Sequence, residues 1–140
     1  MFEILPFSAE YIQQAIDLWG RSEGVSLGLA DSPEEIRKYL SRNSDMSFIA
    51  KRDGTFVGAI LGGHDARRGY LHHLAVEPAH RHLGIGRALV DHCLTALKKE
   101  GIERTHVFVR ADNEIGRGFW RREGWKERND LVMYSFTEKL

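Results

Sequence analysis

Along the 140-residue chain the apolar positions switch between a period of two and a period near 3.6. Phe2-Glu3-Ile4-Leu5 alternates and predicts a first strand, closed by Pro6. Ile12, Ala15, Ile16 and Trp19 then share one helical face, which predicts a helix from Ala9 to Trp19 with Ser8 as its cap. Residues 20–31 hold three glycines and two serines and predict a loop. Ser32-Pro33-Glu34-Glu35 has the residues of a helix start, a cap, a proline at the first helical position and a capping-box glutamate. The short helix it opens carries Ile36, Tyr39 and Leu40 to the core. Two strands follow, Met46 to Lys51 and Phe56 to Gly62, joined as a hairpin by Asp53-Gly54.

Residues Ala66 to Gly69 turn the chain into a central strand, Tyr70 to Val76. Ile85, Leu89, Cys93, Ala96 and Leu97 then repeat at helical spacing, and Gly101 caps that helix. Thr105 to Val109 predicts another strand. Asp112 or Asn113 caps a helix through Phe119 and Trp120, ended by Gly124, and a final pair of strands runs from Trp125 through Leu131 to Phe136. No repeat, low-complexity segment or linker interrupts the chain, so residues 1–140 are expected to form one domain. Strands that pair first by hairpins and then alternate with helices predict a mixed sheet with helices on its faces, an α/β (α+β) protein.

Between the central strand and its helix lies Arg81-His82-Leu83-Gly84-Ile85-Gly86. Strand, glycine turn and helix in this order create an anion site. The glycines let the backbone turn tightly and approach a ligand. The first helix amides have no partner inside the helix, and the helix dipole adds positive charge. Phosphate is the ion such a site suits best, with Arg81 and Arg87 flanking it. No Gly-Lys-Ser/Thr follows, so this is no Walker A loop, and Leu89 stands where a dinucleotide fingerprint would place its third glycine.

Composition narrows the partners. Twenty basic residues balance twenty acidic ones, which removes any global drive toward nucleic acid or an anionic membrane. No apolar run approaches a membrane span, and the N-terminus lacks a signal-like pattern. The single cysteine, Cys93, excludes an internal disulfide and fits a reducing compartment, so a cytoplasmic location is the expectation. The seven histidines show no zinc spacing, and no metal is expected. Cys93 falls on the apolar stripe of its helix and reads as a core residue. A homodimer stays open.

The string Leu74-Ala75-Val76-Glu77-Pro78, Arg81-x-x-Gly84-x-Gly86, Ala88-Leu89 resembles the acetyl-CoA site of the GCN5-related N-acetyltransferases. A second signature of that family reads here as Asn113, Phe119, Trp120, Gly124 and Trp125, and the order of elements matches over nearly the whole chain. The resemblance implies a mixed, mostly antiparallel sheet of six to seven strands flanked by about four helices, with splayed central strands. It implies acetyl-CoA as co-substrate and an amine as acceptor. The cofactor pyrophosphate would rest on the amides of His82, Leu83, Gly84, Ile85, Gly86 and Arg87, beside Arg81. The pantetheine arm would pair with the backbone of Leu74, Ala75 and Val76, and Asn113, Phe119 and Trp120 would line the cofactor.

One departure bears on mechanism. Trp120 stands where the family commonly places the tyrosine that protonates the leaving thiolate, and an indole N–H is no usable acid. Trp120 therefore reads as a packing residue against the cofactor arm. An acid contributes roughly 10²–10⁴ in rate, so the expectation is a slower or rearranged enzyme, with water or Tyr134 as proton source. A base is still needed, because a lysine-like amine, with a pKa of about 10.4, is charged at neutral pH. By strict alternation Tyr70, His72 and Leu74 share one face of their strand and His73 the other. In the arylalkylamine acetyltransferases, which this strand resembles, histidines occupy the positions of Tyr70 and His72; only His72 matches. His72 is thus a base or a wall of the pocket, Tyr70 is the second candidate, and His73 is expected to be structural. Relatives that acetylate protein N-termini place a glutamate where this chain has Phe108. Acetylation of a protein N-terminus and a CoA-binding module with little turnover are the competing readings. The acceptor carries no motif.

Overall fold

The computed structural model describes residues 1–138. Strands β1 (Phe2–Pro6), β2 (Phe48–Arg52), β3 (Thr55–His64), β4 (Gly69–Val76) and β5 (Thr105–Val107) form one sheet in the order of the chain. The first four run antiparallel and β5 runs parallel to β4. A parallel pair needs a crossover, and α3 (Ile85–Lys99) supplies it. Its buried stripe, Ile85, Leu89, Cys93 and Leu97, packs with Ala50, Val57, Ile60 and Leu71 on one face of the sheet. Helices α1 (Ile12–Gly20) and α2 (Pro33–Arg42) cover the other face, where Ile12, Leu18, Trp19 and Ile36 meet Ile49, Ala59, Leu61 and Ala75. Helix α4 (Glu114–Arg122) brings Trp120 into the α3 core. No helix among the described residues is long and apolar enough to cross a membrane.

Local chemistry explains the helix ends. The Ser32 hydroxyl accepts from the Glu35 amide at 3.2 Å and starts α2 behind Pro33. Asn113 does the same for α4 through the Gly116 amide at 2.9 Å. The predicted first helix begins as a 3-10 turn at Ala9–Tyr11, and the Ser8 side chain makes no cap bond; its hydroxyl turns to Glu10 instead.

Two expectations are corrected. The sheet has five strands where six to seven were expected, because the final pair does not form. Residues 126–138 make no backbone hydrogen bond to any described residue, and Leu131–Phe136 lies exposed with its strand-prone side chains uncovered. Strand propensity describes a fit to a pleated, half-buried surface, and by itself it supplies no pairing partner.

The second correction concerns β4. Its ladder with β3 pairs Ala75 with Ala59 but His72 with Leu61, so three steps of β4 oppose two of β3. The extra residue is His73, whose φ of 54° lies in the left-handed region. This β-bulge breaks the alternation. Leu71 packs on the α3 side, while the rings of both His72 and His73 meet side chains of the α1–α2 side, Tyr39 and Trp19. Leu74 turns over to the α3 core. His72 and His73 therefore share a face, and Leu74 leaves it.

Close approach of β3 to the residues leading into β2 depends on Gly62. The Ser47 hydroxyl accepts from the Gly62 amide at 2.9 Å, and a Cβ at Gly62 would run into the Met46 carbonyl, backbone that cannot swing aside. Gly62→Ala is expected to lower the unfolding free energy by about 1–3 kcal/mol, read as a reduced denaturant midpoint at constant slope.

Candidate functional site

Between β4 and α3 the chain makes a tight reversal in which His82 and Gly84 both take positive φ, 64° and 87°. The Arg81 amide bonds back to the Pro78 carbonyl, and the Ala88 amide opens the helix on the Gly84 carbonyl. Between these two bonds the amides of His82, Leu83, Gly84, Ile85, Gly86 and Arg87 have no acceptor among the described residues. Ile85 explains why the row holds its place, since its side chain is fully buried in the α3 core and pins the first turn of the helix. Successive amides at a helix N-terminus form a concavity suited to an anion. The site residues predicted here do meet in space. Their contribution is backbone N–H, except for the charge of Arg87, whose side chain is largely exposed and only loosely paired with Asp91 and Glu123.

The gap beside this row is built by divergence of β4 and β5. Their ladder pairs Gly69, Tyr70 and Leu71 with Thr105, His106 and Val107 and then stops, while β4 continues to Val76. The stretch containing Leu74, Ala75 and Val76 therefore has an open edge toward β5. The Val76 carbonyl accepts from Arg81 Nε at 3.2 Å, and Arg81 also pairs with Glu23 at 2.7 Å. Arg81 thus braces the rim, and its charge is already answered by a carboxylate.

Across the gap stand the residues of the second signature. Asn113 spends its side-chain oxygen on capping α4. Phe119 lies against the turn of α3, where a Cβ at Gly86 would come within 3.2 Å of its ring. A side chain at Gly86 would therefore press on Phe119, whereas one at Gly84 would meet open space and suffer only from its backbone angle. Trp120 is nearly buried, with Phe119 at 5.1 Å and Trp125 at 4.6 Å between ring centroids. It is a packing residue of the core.

On the α1–α2 face, His72 sits in a cage of aromatic rings. Tyr70 stacks on it at 6.4 Å, Phe108 at 6.3 Å, and Tyr39 meets it edge-on at 6.1 Å. Burial holds the His72 imidazole below its ordinary pKa, and neighbouring His73 adds to this while Asp31 opposes it. The ring is therefore neutral at neutral pH, with a lone pair to offer. Burial pushes the Tyr39 phenol far above its ordinary range, so it keeps its proton. Tyr70, the second candidate, lies within the same stack, with His106 at 5.8 Å on its other side. Cys93 is fully buried, donates to the Met46 carbonyl at 3.3 Å and is held protonated by burial. It is a core residue.

Residues 20–31 close over the gap from outside. His73 Nε2 and Asp31 Oδ1 lie 2.9 Å apart, and Asp31 also accepts from the Gly28 amide. Arg21 pairs with Glu77 at 2.6 Å, and Ser26 accepts from Arg110 at 3.1 Å. A Cβ at Gly24 would collide with the Asn113 amide. An open cleft of about 520 Å³ runs between this loop and residues 110–115, lined in part by Glu23, Asp112 and Glu114. His72 is not among its lining residues. Tyr39, Phe108, Asp31 and Glu23 were not singled out as site residues from sequence; they come from three segments, the 20–31 loop, α2 and the stretch after β5, and carry no motif. Among the described residues no three His, Cys, Asp or Glu side chains gather as a metal site.

With this geometry in place, the likeness to known proteins is specific. The sequence profile of the acetyltransferase (GNAT) family matches residues 12–125. An acetyltransferase of Pectobacterium atrosepticum is 31% identical over 121 residues, covering 86% of this chain and 84% of that protein. Among solved structures, a PaiA N-acetyltransferase from Thermoplasma acidophilum in complex with coenzyme A superposes with a TM-score of 0.78 at 22% identity, covering 90% of each chain. Ard1 from Thermoplasma volcanium also gives 0.78, at 21% identity, over 88% of this chain and 81% of that one. At such identities the two structures speak for the fold, and the profile and the bacterial relative for the family. The chain belongs to the GCN5-related N-acetyltransferase family, whose members use acetyl-CoA as the acetyl donor.

Proposed function

We propose that this protein transfers an acetyl group from acetyl-CoA directly to a primary amine of a small molecule or peptide, with the amides of His82–Arg87 as the pyrophosphate seat and His72 as the base. The observation that carries the reading is the row of six acceptor-free amides at a turn held left-handed by His82 and Gly84. A diphosphate supplies the acceptors that this row lacks. Acetyl-CoA supplies the activated acyl group as a thioester. The open edge of Leu74–Val76 offers backbone donors and acceptors to an extended amide-bearing arm, and an N–H there is placed to stabilise negative charge on the carbonyl oxygen.

His72, kept neutral by its cage, takes the proton that the amine must lose, on its unprotonated ring nitrogen or through one water. The packed Trp120 donates no proton to the leaving sulfur. A thiol with a pKa of about 8.5 leaves tolerably as the thiolate, so this route stays open without a dedicated acid. Phe108 in the cage adds no carboxylate, which favours a small amine over a protein N-terminus as acceptor. The direct test is release of CoA thiol from acetyl-CoA against a panel of primary amines and peptides. Amine-dependent release supports the reading, and binding of CoA with no release for any acceptor supports a binding module instead.

Gly84→Ala separates the phosphate seat from packing, because its Cβ meets nothing and the cost lies in the positive φ. Strain on the order of 1–2 kcal/mol should displace the turn and weaken acetyl-CoA binding roughly tenfold, read by calorimetry, with a folded protein whose thermal midpoint falls by only several degrees. Equal affinity in the folded variant would remove the seat from this turn.

The cage also fixes a pH dependence. A base must be neutral to act, and burial lowers the pKa of His72, so kcat/KM at fixed amine protonation should rise with pH around a midpoint below the ordinary histidine value of about 6.5. His72→Gln should abolish that limb and cost about a hundredfold in rate with acetyl-CoA affinity intact. Coinciding rates and profiles would make His72 a wall of the pocket.

A further inference from the structure

His73 stands where its backbone resists it. Among the described residues five non-glycine residues take positive φ, and four of them, Asp45, Asp53, Ala66 and His82, lie in turns or bends. His73, at 54°, alone does so inside a strand. Glycine would take that angle freely, whereas a side chain there carries strain that its surroundings must hold in place. Three contacts hold it. The ring of fully buried Trp19 lies 5.1 Å away on the α1 side. The ring of His72 meets it edge-on at 6.5 Å. Its tip, Nε2, lies 2.9 Å from Asp31 Oδ1, and only 20% and 14% of the two side chains are exposed.

Asp31 reaches that tip with a carboxylate already fixed in direction. Its other oxygen accepts from the Gly28 amide at 2.8 Å. Its own amide donates to the Gly28 carbonyl at 3.0 Å and closes the 3-10 turn Leu29–Asp31. The next residue, Ser32, caps α2, the helix that carries Tyr39 to the cage of His72. A carboxylate only accepts, so His73 Nε2 holds the proton between them. An amide side chain could accept from one of the two donors and not from both. Position 31 therefore uses both oxygens of an aspartate, and its charge lies beside the two histidines.

The geometry points to a positioning pair: His73 braces the edge of the His72 ring, and Asp31 holds His73 while supplying the negative charge that faces the base. The inference rests on the reading of His72 as the base. Two opposed charges then act on His72. That of Asp31 favours its protonated ring, and a charge on His73 disfavours it. With both in place, burial is the larger influence and keeps the ring neutral. With either removed, the balance moves in a direction set by the one that is left. The other titratable side chains around the two rings are Tyr39 of α2, which burial keeps protonated, Tyr70 of β4 and His106 of β5.

Titration of the His72 ring in the full chain, followed by proton NMR and assigned with His72→Gln, tests this without any acceptor. Asp31→Asn removes the charge that favours the protonated ring and can keep one of the two hydrogen bonds, so His72 is expected to titrate at lower pH than in the native chain. His73→Gly removes the opposing charge and the edge-on wall together, so His72 is expected to titrate at higher pH. His73→Gly should unfold cooperatively within about 5 °C of the native midpoint, because glycine releases the positive φ as the bond to Asp31 is lost. Titrations of His72 that coincide in the three proteins overturn the pair. So do shifts in the same direction in both variants, since water entry and not opposed charge would then govern the ring. Loss of cooperative unfolding in His73→Gly also overturns it, since the histidine would then serve the fold. Failure of the base reading looks different: thiol release unchanged in His72→Gln, with the two opposite titration shifts still present.

Discussion

Unpaired backbone is the constraint on which this structure turns. Beyond Leu71 the ladder between β4 and β5 stops, and from His82 to Arg87 a run of amides meets no acceptor among the described residues. A buried polar group left unpaired costs roughly 1–3 kcal/mol, so a fold tolerates two such rows only where water or a ligand reaches them. Both rows border the same gap. One is an extended edge able to pair with an extended arm, and the other is a concave cluster of donors suited to phosphate. A thioester carried on a long amide arm with a diphosphate at its far end satisfies both, which is the shape of the donor that the family uses.

The His73 bulge ties this gap to the chemistry. By adding one residue to β4 it puts His72 and His73 on the same face and sends Leu74 back to the core. His72 then enters a ring of Tyr39, Tyr70 and Phe108 that strips water from it and keeps it neutral. His73 reaches Asp31 and fastens the 20–31 loop across the mouth of the gap. A single extra residue in one strand therefore sets the protonation state of the candidate base and the position of the 20–31 loop.

Much of this was legible in the chain. Arg81-x-x-Gly84-x-Gly86 announced the turn because a left-handed backbone and a close approach leave few residue choices. Ser32 and Asn113 announced helix starts through side chains that bond their own backbone. The bulge was not legible, because alternation assumes a regular ladder and nothing in His72-His73 marks the added residue. The cage was not legible either, since Tyr39 and Phe108 meet His72 only after the sheet is folded. Gly86 was read as a point of ligand approach, and the structure shows it giving room to Phe119. The apolar tail reads as strand in sequence and lies unpaired in the structure, because strand propensity does not by itself supply a pairing partner.

The central claim is that the acceptor-free amides of His82–Arg87, together with the open edge at Leu74–Val76, receive the donor. Backbone amide resonances of these residues, followed by heteronuclear NMR as CoA is titrated into the protein, read that claim directly. The account predicts large shifts and slowed hydrogen exchange at both rows, with the 82–87 amides responding to pyrophosphate alone. CoA binding that leaves both rows unshifted would contradict it.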